Sequence, residues 1–374
     1  MTVPRNAKHT EYIEWAKLYA HARYNLATSG LVSFPLHELG VSLKDIELSG
    51  PSYYGYEPLQ KALAAWNGVS PDCVVAAVGT SFANHLAMAA LLEPGDEVVM
   101  EQPAYEPLLA VAEYLGARVR RFPRRFDDGF ALDPEAVRQA VTPETRLIVI
   151  TNLHNPSSAG AGEAALRSIG EIARRVGARV LVDEVYLEAV KVQNSPAEGG
   201  APPRSAYHLG REFVTTASLT KAYGLSGLRC GWILAEPALA ARIWRLSDLF
   251  CVIPAHPAER LSVIAFAQLG RIRARARSLL EMNRPLLRRF LESRADLECV
   301  YPMFGTVAFP RLRSGNVEQL CALLREKYET AVVPGRFFEM PDHFRLGIGC
   351  ETGILAAALD RLASALDELG SAQH

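Results

Sequence analysis

Between residues 74 and 235, short apolar segments rich in Val, Ile and Leu alternate with longer segments of helical periodicity. Continuous apolar segments of this kind predict strands that are buried on both faces, as in parallel sheets covered by helices. We therefore predict an α/β fold with a mainly parallel sheet flanked by helices. The predicted strands cover residues 73–78, 98–101, 118–122, 147–152, 179–183, 213–217 and 232–235, and the clearest helices cover residues 81–92, 106–115 and 163–176.

The remainder of the chain predicts a second, smaller α+β domain. A chain of 374 residues is long enough for two domains. A long helical pattern begins at Glu259 and is followed by mixed strands and helices. We predict a large domain over residues 46–255 and a small domain formed by residues 1–45 together with 256–374. Residues 194–204, rich in Pro, Gly and Ala, predict a loop.

Lys221 lies in the segment with the strongest chemical signal. Ser218 and Thr220 precede it, glycines follow it, and Arg229 lies eight residues further on. Hydroxyls and a guanidinium can bind an oxyanion, while glycines allow the backbone to approach it closely. A buried lysine can lose its proton near neutral pH and attack a carbonyl. Pyridoxal phosphate (PLP) combines a carbonyl with a phosphate and fits this segment; an ordinary surface lysine is the alternative.

Polar residues that could bind the same cofactor follow two predicted strands. Asp183 ends one of them, and ligands of open α/β sheets bind at the carboxyl ends of strands. A carboxylate there can keep the pyridine nitrogen of PLP protonated, so that the ring withdraws electrons. Asn155, after the other strand, and Tyr186 could donate to the phenolic oxygen of the cofactor. An acid or an Asn-Pro turn alone is common, but together with Lys221 they favour PLP.

From about residue 46 to the C-terminus, the chain resembles the class I and II aminotransferases, which are fold-type I PLP enzymes of the aspartate aminotransferase superfamily. The motifs that carry this resemblance are Asn155-Pro156, residues 183–186, residues 218–221, and Arg229 with Gly231. The resemblance implies that Lys221 forms an aldimine with PLP and that Asp183 pairs with the ring nitrogen. It also implies that Asn155 and Tyr186 flank the ring hydroxyl and that Ser218 and Arg229 hold the phosphate.

Two further segments are assigned with the help of the resemblance. Residues 78–86 follow a predicted strand and open a helical pattern, and a helix N-terminus favours anions. The resemblance implies that Thr80 and Ser81 complete the phosphate contacts, although an ordinary helix cap is the alternative. It also implies that Tyr105 stacks on the cofactor ring, for which a core tyrosine is the alternative.

The substrate side is less well defined by the sequence. The similarity of Arg345 to the family's C-terminal arginine suggests bidentate binding of a substrate α-carboxylate, and a surface ion pair is the alternative. Residues 24–31 only loosely resemble the segment that closes over substrate in relatives. Gly30, in this segment, and Asn155 are the other candidate substrate-binding residues. His154 stands where the family often has a further asparagine; it could contact substrate or simply be a satisfied loop residue.

The expected partners are small molecules and a second copy of the chain. The resemblance implies a homodimer with shared sites, in which Tyr53 or Tyr54 reaches the partner's phosphate; these aromatics could equally form interface core. A formal charge of −1 gives no basic footprint for nucleic acid. The six cysteines lack metal-ligand spacing, so no metal is predicted. Because no long apolar span or signal peptide is visible, we expect a cytoplasmic protein without a membrane partner.

These features predict an aminotransferase of amino acid metabolism or biosynthesis that moves an amino group from a 2-amino acid to a 2-oxo acid. The same residues could serve a PLP-dependent lyase, decarboxylase or cyclising synthase, because the outcome depends on which substrate bond lies perpendicular to the ring. A PLP-fold regulator usually carries a DNA-binding domain, for which this chain has no room. A dinucleotide-binding protein is disfavoured because no G-x-G-x-x-G motif follows a predicted strand.

Overall fold

A computed structural model of the chain describes residues 9–193 and 203–371, so that most of the predicted loop over residues 194–204 lies outside the described residues. The α-helices are α1 Glu11–Leu18, α2 Glu57–Asn67, α3 Gly79–Leu91, α4 Glu106–Tyr114, α5 Pro134–Ala140, α6 Glu163–Val176, α7 Leu187–Gln193, α8 Thr220–Tyr223, α9 Pro237–Cys251, α10 His256–Ala267, α11 Leu269–Glu292, α12 Val317–Lys327 and α13 Thr352–Ser371. The strands are β1 Tyr24–Asn25, β2 Val74–Val78, β3 Glu97–Gln102, β4 Arg118–Pro123, β5 Thr145–Thr151, β6 Arg179–Asp183, β7 Phe213–Ser218, β8 Cys230–Leu234, β9 Leu297–Glu298, β10 Val307–Ala308, β11 Arg311–Leu312, β12 Thr330–Ala331, β13 Val333–Pro334 and β14 Phe344–Gly347.

The central sheet has the strand order β2-β8-β7-β6-β5-β3-β4 in the described part of the chain. Strands β7, β6, β5, β3 and β4 run parallel to one another, whereas β8 is antiparallel to both β7 and β2. The prediction of an α/β fold with a mainly parallel sheet is therefore confirmed. Because β5, β6 and β7 are adjacent and parallel, the residues after their carboxyl ends meet at one edge of the sheet.

Both faces of this sheet are covered, which explains why its strands are continuously apolar. In β5 the side chains of Ile148 and Ile150 pack into one core cluster, and those of Leu147 and Val149 pack into another. Helix α6 covers one face near β5 and β6, and α3 packs against β7 and β8. Successive strand residues point to opposite faces, so a strand that is buried on both faces needs an apolar residue at nearly every position.

The C-terminal part of the chain forms smaller sheets that are joined by the N-terminal segment. Strands β10, β14 and β13 form one sheet, and β9 pairs with β11. Strand β1 pairs in parallel with β12, with Tyr24 opposite Thr330. The N–H of Gly347 also donates to the carbonyl of Leu26 at 2.7 Å. The domain boundaries given above, 46–255 against 1–45 with 256–374, stay a prediction.

None of the helices within residues 9–193 and 203–371 combines the length and apolar character that a membrane crossing requires.

Candidate active site

Asp183 ends β6 inside a buried network at the carboxyl edge of the sheet. Its side chain accepts a hydrogen bond from Asn84 Nδ2 at 2.7 Å and another from the Val185 N–H at 3.0 Å. The hydroxyl of Thr216 donates to Asn84 Oδ1 at 2.6 Å and fixes the amide. Burial raises the pKa of Asp183 to about 6 although both donors oppose this. A buried carboxylate held in this way can bind a cationic ring nitrogen.

Asn84 is a site residue that sequence reasoning did not assign. It lies four residues after Thr80 on α3, and residues four apart share one face of a helix. Because Thr80 was already assigned to the phosphate, this spacing could have identified Asn84 as a neighbour of the cofactor.

Lys221 lies on the short helix α8, which follows β7 directly. Burial, with the positive charge of Arg345 as the next cause, lowers the pKa of Lys221 to about 8, while the negative charge of Asp183 opposes the shift. The amine Nζ donates to Ser29 Oγ at 2.9 Å. The structure thus contains a lysine that is half uncharged at a pH of about 8, so the amine is available as a nucleophile or general base at lower pH than an ordinary lysine.

The predicted phosphate-binding residues meet at the N-terminus of α3. Arg229, whose φ of 50° lies in the left-handed region, donates to the Val78 carbonyl at 3.3 Å. Gly79 has a φ of +78°, and a Cβ there would lie 2.1 Å from Arg229 Nη2 and would displace the guanidinium. Thr80 lies at the helix start, and its buried Oγ1 has no hydrogen-bond partner among the described residues. A buried hydroxyl, a guanidinium and a helix N-terminus together suit a phosphate.

Asn155 and Tyr186 line the same pocket as Lys221 and Asp183. Tyr186 is buried, and burial raises its pKa to about 12, so the phenol stays protonated at neutral pH and can donate a hydrogen bond. Asn155 accepts a hydrogen bond from Arg345 through Oδ1, and its Nδ2 is the donor end of the amide. Both donors suit a phenolic oxygen such as that of PLP.

Arg345 is almost completely buried on β14 at 1% exposure. Its guanidinium donates to Asn155 Oδ1 at 2.9 Å, to the Tyr12 hydroxyl at 2.6 Å and to the Ala27 carbonyl at 3.4 Å. These acceptors are all neutral. A buried cation with neutral partners favours an anionic ligand, which a substrate carboxylate would provide. Sequence reasoning did not assign a role to Tyr12, since it lies in an unremarkable helical pattern far from every motif.

Gly30 and Ser29 bring the N-terminal segment against the lysine. A Cβ at Gly30 would lie 3.3 Å from Lys221 Cα, so the small residue allows close packing. Sequence reasoning assigned Gly30 to the substrate but gave no role to Ser29, since a serine in a loosely matching segment carries no signal of its own.

His154 is buried between two oxygens. Its Nδ1 lies 2.7 Å from Ser157 Oγ, and its Nε2 lies 3.0 Å from the Pro103 carbonyl oxygen. Burial lowers the pKa of His154 well below its usual value. The ring is therefore a neutral part of the turn that precedes Asn155, which corresponds to the satisfied loop residue of the two interpretations given above.

Tyr53 and Tyr54 lie on the surface of this chain. Tyr53 is 85% exposed, whereas the Tyr54 hydroxyl donates to Asp248 at 3.2 Å. Their proposed contact is with a partner subunit, and it stays a prediction.

Two adjoining pockets contain the predicted cofactor-binding residues and Gly30, whereas Arg345 is not among the lining residues of either pocket. The sheet-edge pocket is lined by all the residues that were predicted to bind the cofactor, namely Thr80, Ser81, Tyr105, Asn155, Asp183, Tyr186, Ser218, Lys221 and Arg229. The N-terminal pocket is lined by several residues between Tyr12 and Ser33, including Gly30, and by Gly349 and Cys350. The two pockets share Ser29, Tyr105, Thr220 and Lys221. Lys221 therefore lies at the boundary between them.

The donor set of the sheet-edge pocket fits PLP. The Thr80 hydroxyl, which has no partner in the described part of the chain, and the guanidinium of Arg229 suit its phosphate, and the buried carboxylate of Asp183 suits its ring nitrogen. This fold and this pocket define a fold-type I PLP-dependent enzyme.

The chain belongs to the family described as aminotransferase class I and II, whose sequence model matches residues 44–362. It is 31% identical to capreomycidine synthase from Streptomyces vinaceus over 369 residues, which cover 94% of this chain and 91% of that protein. The crystal structure of a PLP-dependent aminotransferase from Streptococcus suis has a TM-score of 0.88, 27% identity and 99% coverage of both chains. The crystal structure of the PLP-dependent cyclase OrfR has a TM-score of 0.85, 25% identity and 98% coverage of both chains.

The expected family and the cofactor, pyridoxal 5′-phosphate, are therefore confirmed. The relatives include both an aminotransferase and a cyclase, so membership of the family leaves the reaction open.

Proposed function

We propose that the chain is an aminotransferase that moves the amino group of a 2-amino acid to a 2-oxo acid. The observation that carries this proposal is geometric: the Arg345 guanidinium donates to Asn155 Oδ1 at 2.9 Å, and Asn155 lines the same pocket as Lys221. A cation that binds a carboxylate therefore lies close to an amine that can act as a base. A 2-amino acid carries its carboxylate and its α-hydrogen on the same carbon atom, so Arg345 can bind the carboxylate while Lys221 reaches the hydrogen.

Each residue has a defined task in this proposal. Arg345 binds the substrate carboxylate and orients the α-carbon. The amine of Lys221 takes the α-proton and returns it to a different atom, first as base and then as acid. Asp183 holds a proton on the cofactor's ring nitrogen. When bound, PLP supplies an electron-withdrawing ring that stabilises the negative charge left on the α-carbon.

The other residues hold the cofactor in place. Thr80, Ser81, Ser218 and Arg229 would bind its phosphate. Asn155 and Tyr186 would donate to its phenolic oxygen, and Tyr105 would stack on its ring. The positions of these residues around one pocket support the assignment.

We also propose a homodimer. Leu249, Phe250, Val252 and Ile253 are between 49% and 75% exposed and form a continuous apolar stretch of chain. This stretch begins beside Asp248, the residue that Tyr54 contacts. Exposed apolar surface of this kind is typical of interfaces, which supports the prediction that Tyr53 or Tyr54 reaches the site of a second subunit. The cytoplasmic location stays a prediction.

A cyclising synthase is the second candidate. The observation that favours it is the Ser29 hydroxyl beside Lys221 in the wall of the N-terminal pocket. A hydroxyl beside the base can deliver a proton to a group that leaves the β-carbon of a substrate, and such a loss must precede ring closure onto that carbon. The similarity to capreomycidine synthase and to a PLP-dependent cyclase supports this candidate.

An absorbance experiment distinguishes the candidates. Purified protein is loaded with PLP, and spectra are recorded before and after a mixture of L-amino acids is added, and again after 2-oxo acids are added. For an aminotransferase, we expect the initial band to be replaced by that of pyridoxamine phosphate and to return with the 2-oxo acid. Formation of a cyclic amino acid without consumption of a 2-oxo acid would instead identify a synthase. Release of pyruvate and ammonia would identify a lyase, and release of carbon dioxide a decarboxylase.

A further inference from the structure

We propose that Ser29 is a positioning residue for Lys221, whose hydroxyl holds the lysine amine towards the N-terminal pocket and so sets the rate at which the α-proton is removed. This inference rests on the proposed function only through that first step, which an aminotransferase and a cyclising synthase share. Lys221 Nζ donates to Ser29 Oγ at 2.9 Å. Ser29 is only 6% exposed and lies in the wall shared by the two pockets.

The direction of this hydrogen bond determines what the amine can do. A neutral amine that donates one hydrogen to Ser29 keeps its lone pair for another direction. Lys221 Nζ is the donor of this hydrogen bond and Ser29 Oγ is its acceptor. The lysine lone pair therefore remains available for a substrate proton.

The position of Ser29 is fixed by contacts from two parts of the molecule. The hydroxyl of Thr306 donates to the Ser29 carbonyl at 2.6 Å, which ties the segment to the C-terminal part of the chain. The N–H of Leu31 donates to the Lys221 carbonyl at 2.9 Å, which ties it to the lysine helix. Ser29 is thus held against the lysine from both sides, whereas a chance surface contact would have neither anchor.

Glycines make this close approach possible. A Cβ at Gly349 would lie 2.3 Å from the Gly30 carbonyl oxygen, and a Cβ at Gly224 would lie 2.3 Å from the Val32 carbonyl oxygen. Gly224 also has a φ of +68°, which a residue with a side chain adopts only with strain. Larger residues at these positions would push the segment away from Lys221. The glycines therefore permit the contact between Ser29 and the lysine.

The first test uses the apoprotein and does not depend on turnover. The rate at which Lys221 captures added PLP is followed by absorbance as a function of pH, because only the uncharged amine reacts. In Ser29→Ala the ammonium form loses an acceptor, so we expect the midpoint of capture to move to lower pH by roughly one pH unit. The charged residues that act on Lys221, namely Arg345, Asp183 and Arg229, are unchanged in this variant.

The second test measures removal of the α-proton by the holoenzyme. A mixture of proteinogenic L-amino acids in D2O is followed by NMR, and the loss of each α-proton signal is timed. For the amino acid that exchanges fastest with the native protein, we expect Ser29→Ala to lower the maximal exchange rate by about 10- to 100-fold. The concentration for half-maximal exchange should change by less than about threefold, because Arg345 still binds the carboxylate.

Matched variants separate this role from a general effect on folding. Ser29→Thr keeps the hydroxyl and should retain most of the exchange rate. Thr306→Val removes the hydrogen bond that anchors the Ser29 carbonyl, so a smaller loss in the same direction is expected. Ser42→Ala removes an exposed serine hydroxyl from the same N-terminal region and should behave like the native protein in both assays.

The proposal is wrong if Ser29→Ala captures PLP with the native midpoint and exchanges α-protons at the native rate. It is also wrong if the substitution changes only the concentration for half-maximal exchange, since Ser29 would then contact substrate without acting on the lysine. If the native protein exchanges no α-proton, the proposed function fails, and the capture assay still decides whether Ser29 acts on Lys221.

Discussion

The two pockets that meet at Lys221 are built in different ways. The sheet-edge pocket takes its polar side chains from the carboxyl ends of adjacent strands β5, β6 and β7 and from the N-terminus of α3. The N-terminal pocket is formed by residues 12–33 together with Gly349 and Cys350, which are more than 300 positions apart in the sequence. The first pocket follows from local strand and helix ends, whereas the second depends on long-range packing.

This difference predicts different consequences of substitution. Changes at the sheet edge should affect cofactor binding together with turnover. Changes around Arg345 and Tyr12 should affect substrate binding while the cofactor spectrum is preserved. A variant that mixed these two effects would show that the pockets act as one unit.

The largest effect is expected for Lys221→Ala. Because the variant lacks both the amine that captures PLP and the base for the α-proton, we expect turnover to fall by at least ~10⁴-fold. The absorbance band of covalently bound PLP should also be absent. Lys61→Ala, which removes an exposed lysine paired with Glu57, is the control and should retain both. Turnover of Lys221→Ala near the native rate would contradict the assignment of the catalytic lysine.

The ease with which each pocket could be predicted from sequence follows from the same contrast. Asp183, Asn155 and Lys221 each follow an apolar strand, so the strand pattern alone placed them at one edge. Ser29 and Tyr12 lie in segments without a strong pattern. The segment of Ser29 is placed by the pairing of β1 with β12, and Tyr12 is placed by its hydrogen bond with Arg345. Contacts between distant segments leave no periodic signal, and for this reason neither residue was assigned.

Asn84 illustrates an intermediate case. Its segment was recognised as a helix start beside the phosphate, yet its contact with Asp183 depends on how α3 lies across the sheet. Helical spacing from Thr80 gives the correct face, but only packing against β6 gives the partner. Sequence analysis therefore predicted the fold and the residues that line the sheet-edge pocket more completely than those that line the N-terminal pocket.

The second largest effect concerns pH. Burial and the charge of Arg345 lower the pKa of Lys221 to about 8 from its ordinary value of 10.5. Since only the uncharged amine reacts, the rate of PLP capture by the apoprotein should rise with pH up to about 8 and then level off. At pH 6 the rate should be lower by about 100-fold. A rate that continued to rise towards pH 10.5 would show that the lysine is not buried in solution.

The same pKa has a consequence for stability. Because the pKa is lower in the folded state, the unfolded apoprotein binds more protons than the folded one between pH about 8 and 10.5. The contribution of Lys221 to the free energy of unfolding of the apoprotein therefore rises with pH within this window. Lys221→Met, which has no titrating amine, should lack this contribution, and comparison of the two proteins by urea unfolding measures it.

The third effect is expected for Arg345→Lys. Lysine keeps the charge but cannot form the forked pair of hydrogen bonds to a carboxylate. We expect kcat/KM for the donor amino acid to fall by about 10- to 100-fold, with most of the change in KM. The absorbance spectrum and the affinity for PLP should stay as in the native protein. Arg289→Lys, at an exposed position on α11, is the control. An equal fall of kcat/KM in this variant would show that the effect is not specific to Arg345.

The smallest effect is expected for Tyr12→Phe. This change removes the hydroxyl that accepts a hydrogen bond from Arg345 at 2.6 Å but keeps the ring that packs against Phe337 and Phe338. The loss of one hydrogen bond to a guanidinium that still has Asn155 as a partner should raise KM by about 3- to 10-fold, with kcat little changed. Steady-state kinetics of the donor half-reaction measure both constants.

Tyr19→Phe provides the matched control, because Tyr19 is 54% exposed just beyond the end of the same helix. If Tyr12→Phe lowered the affinity for PLP as much as it raised KM, the N-terminal helix would be acting on the sheet-edge pocket as well. The contrast between the two pockets would then have to be replaced by a single site in which α1 stabilises cofactor and substrate together.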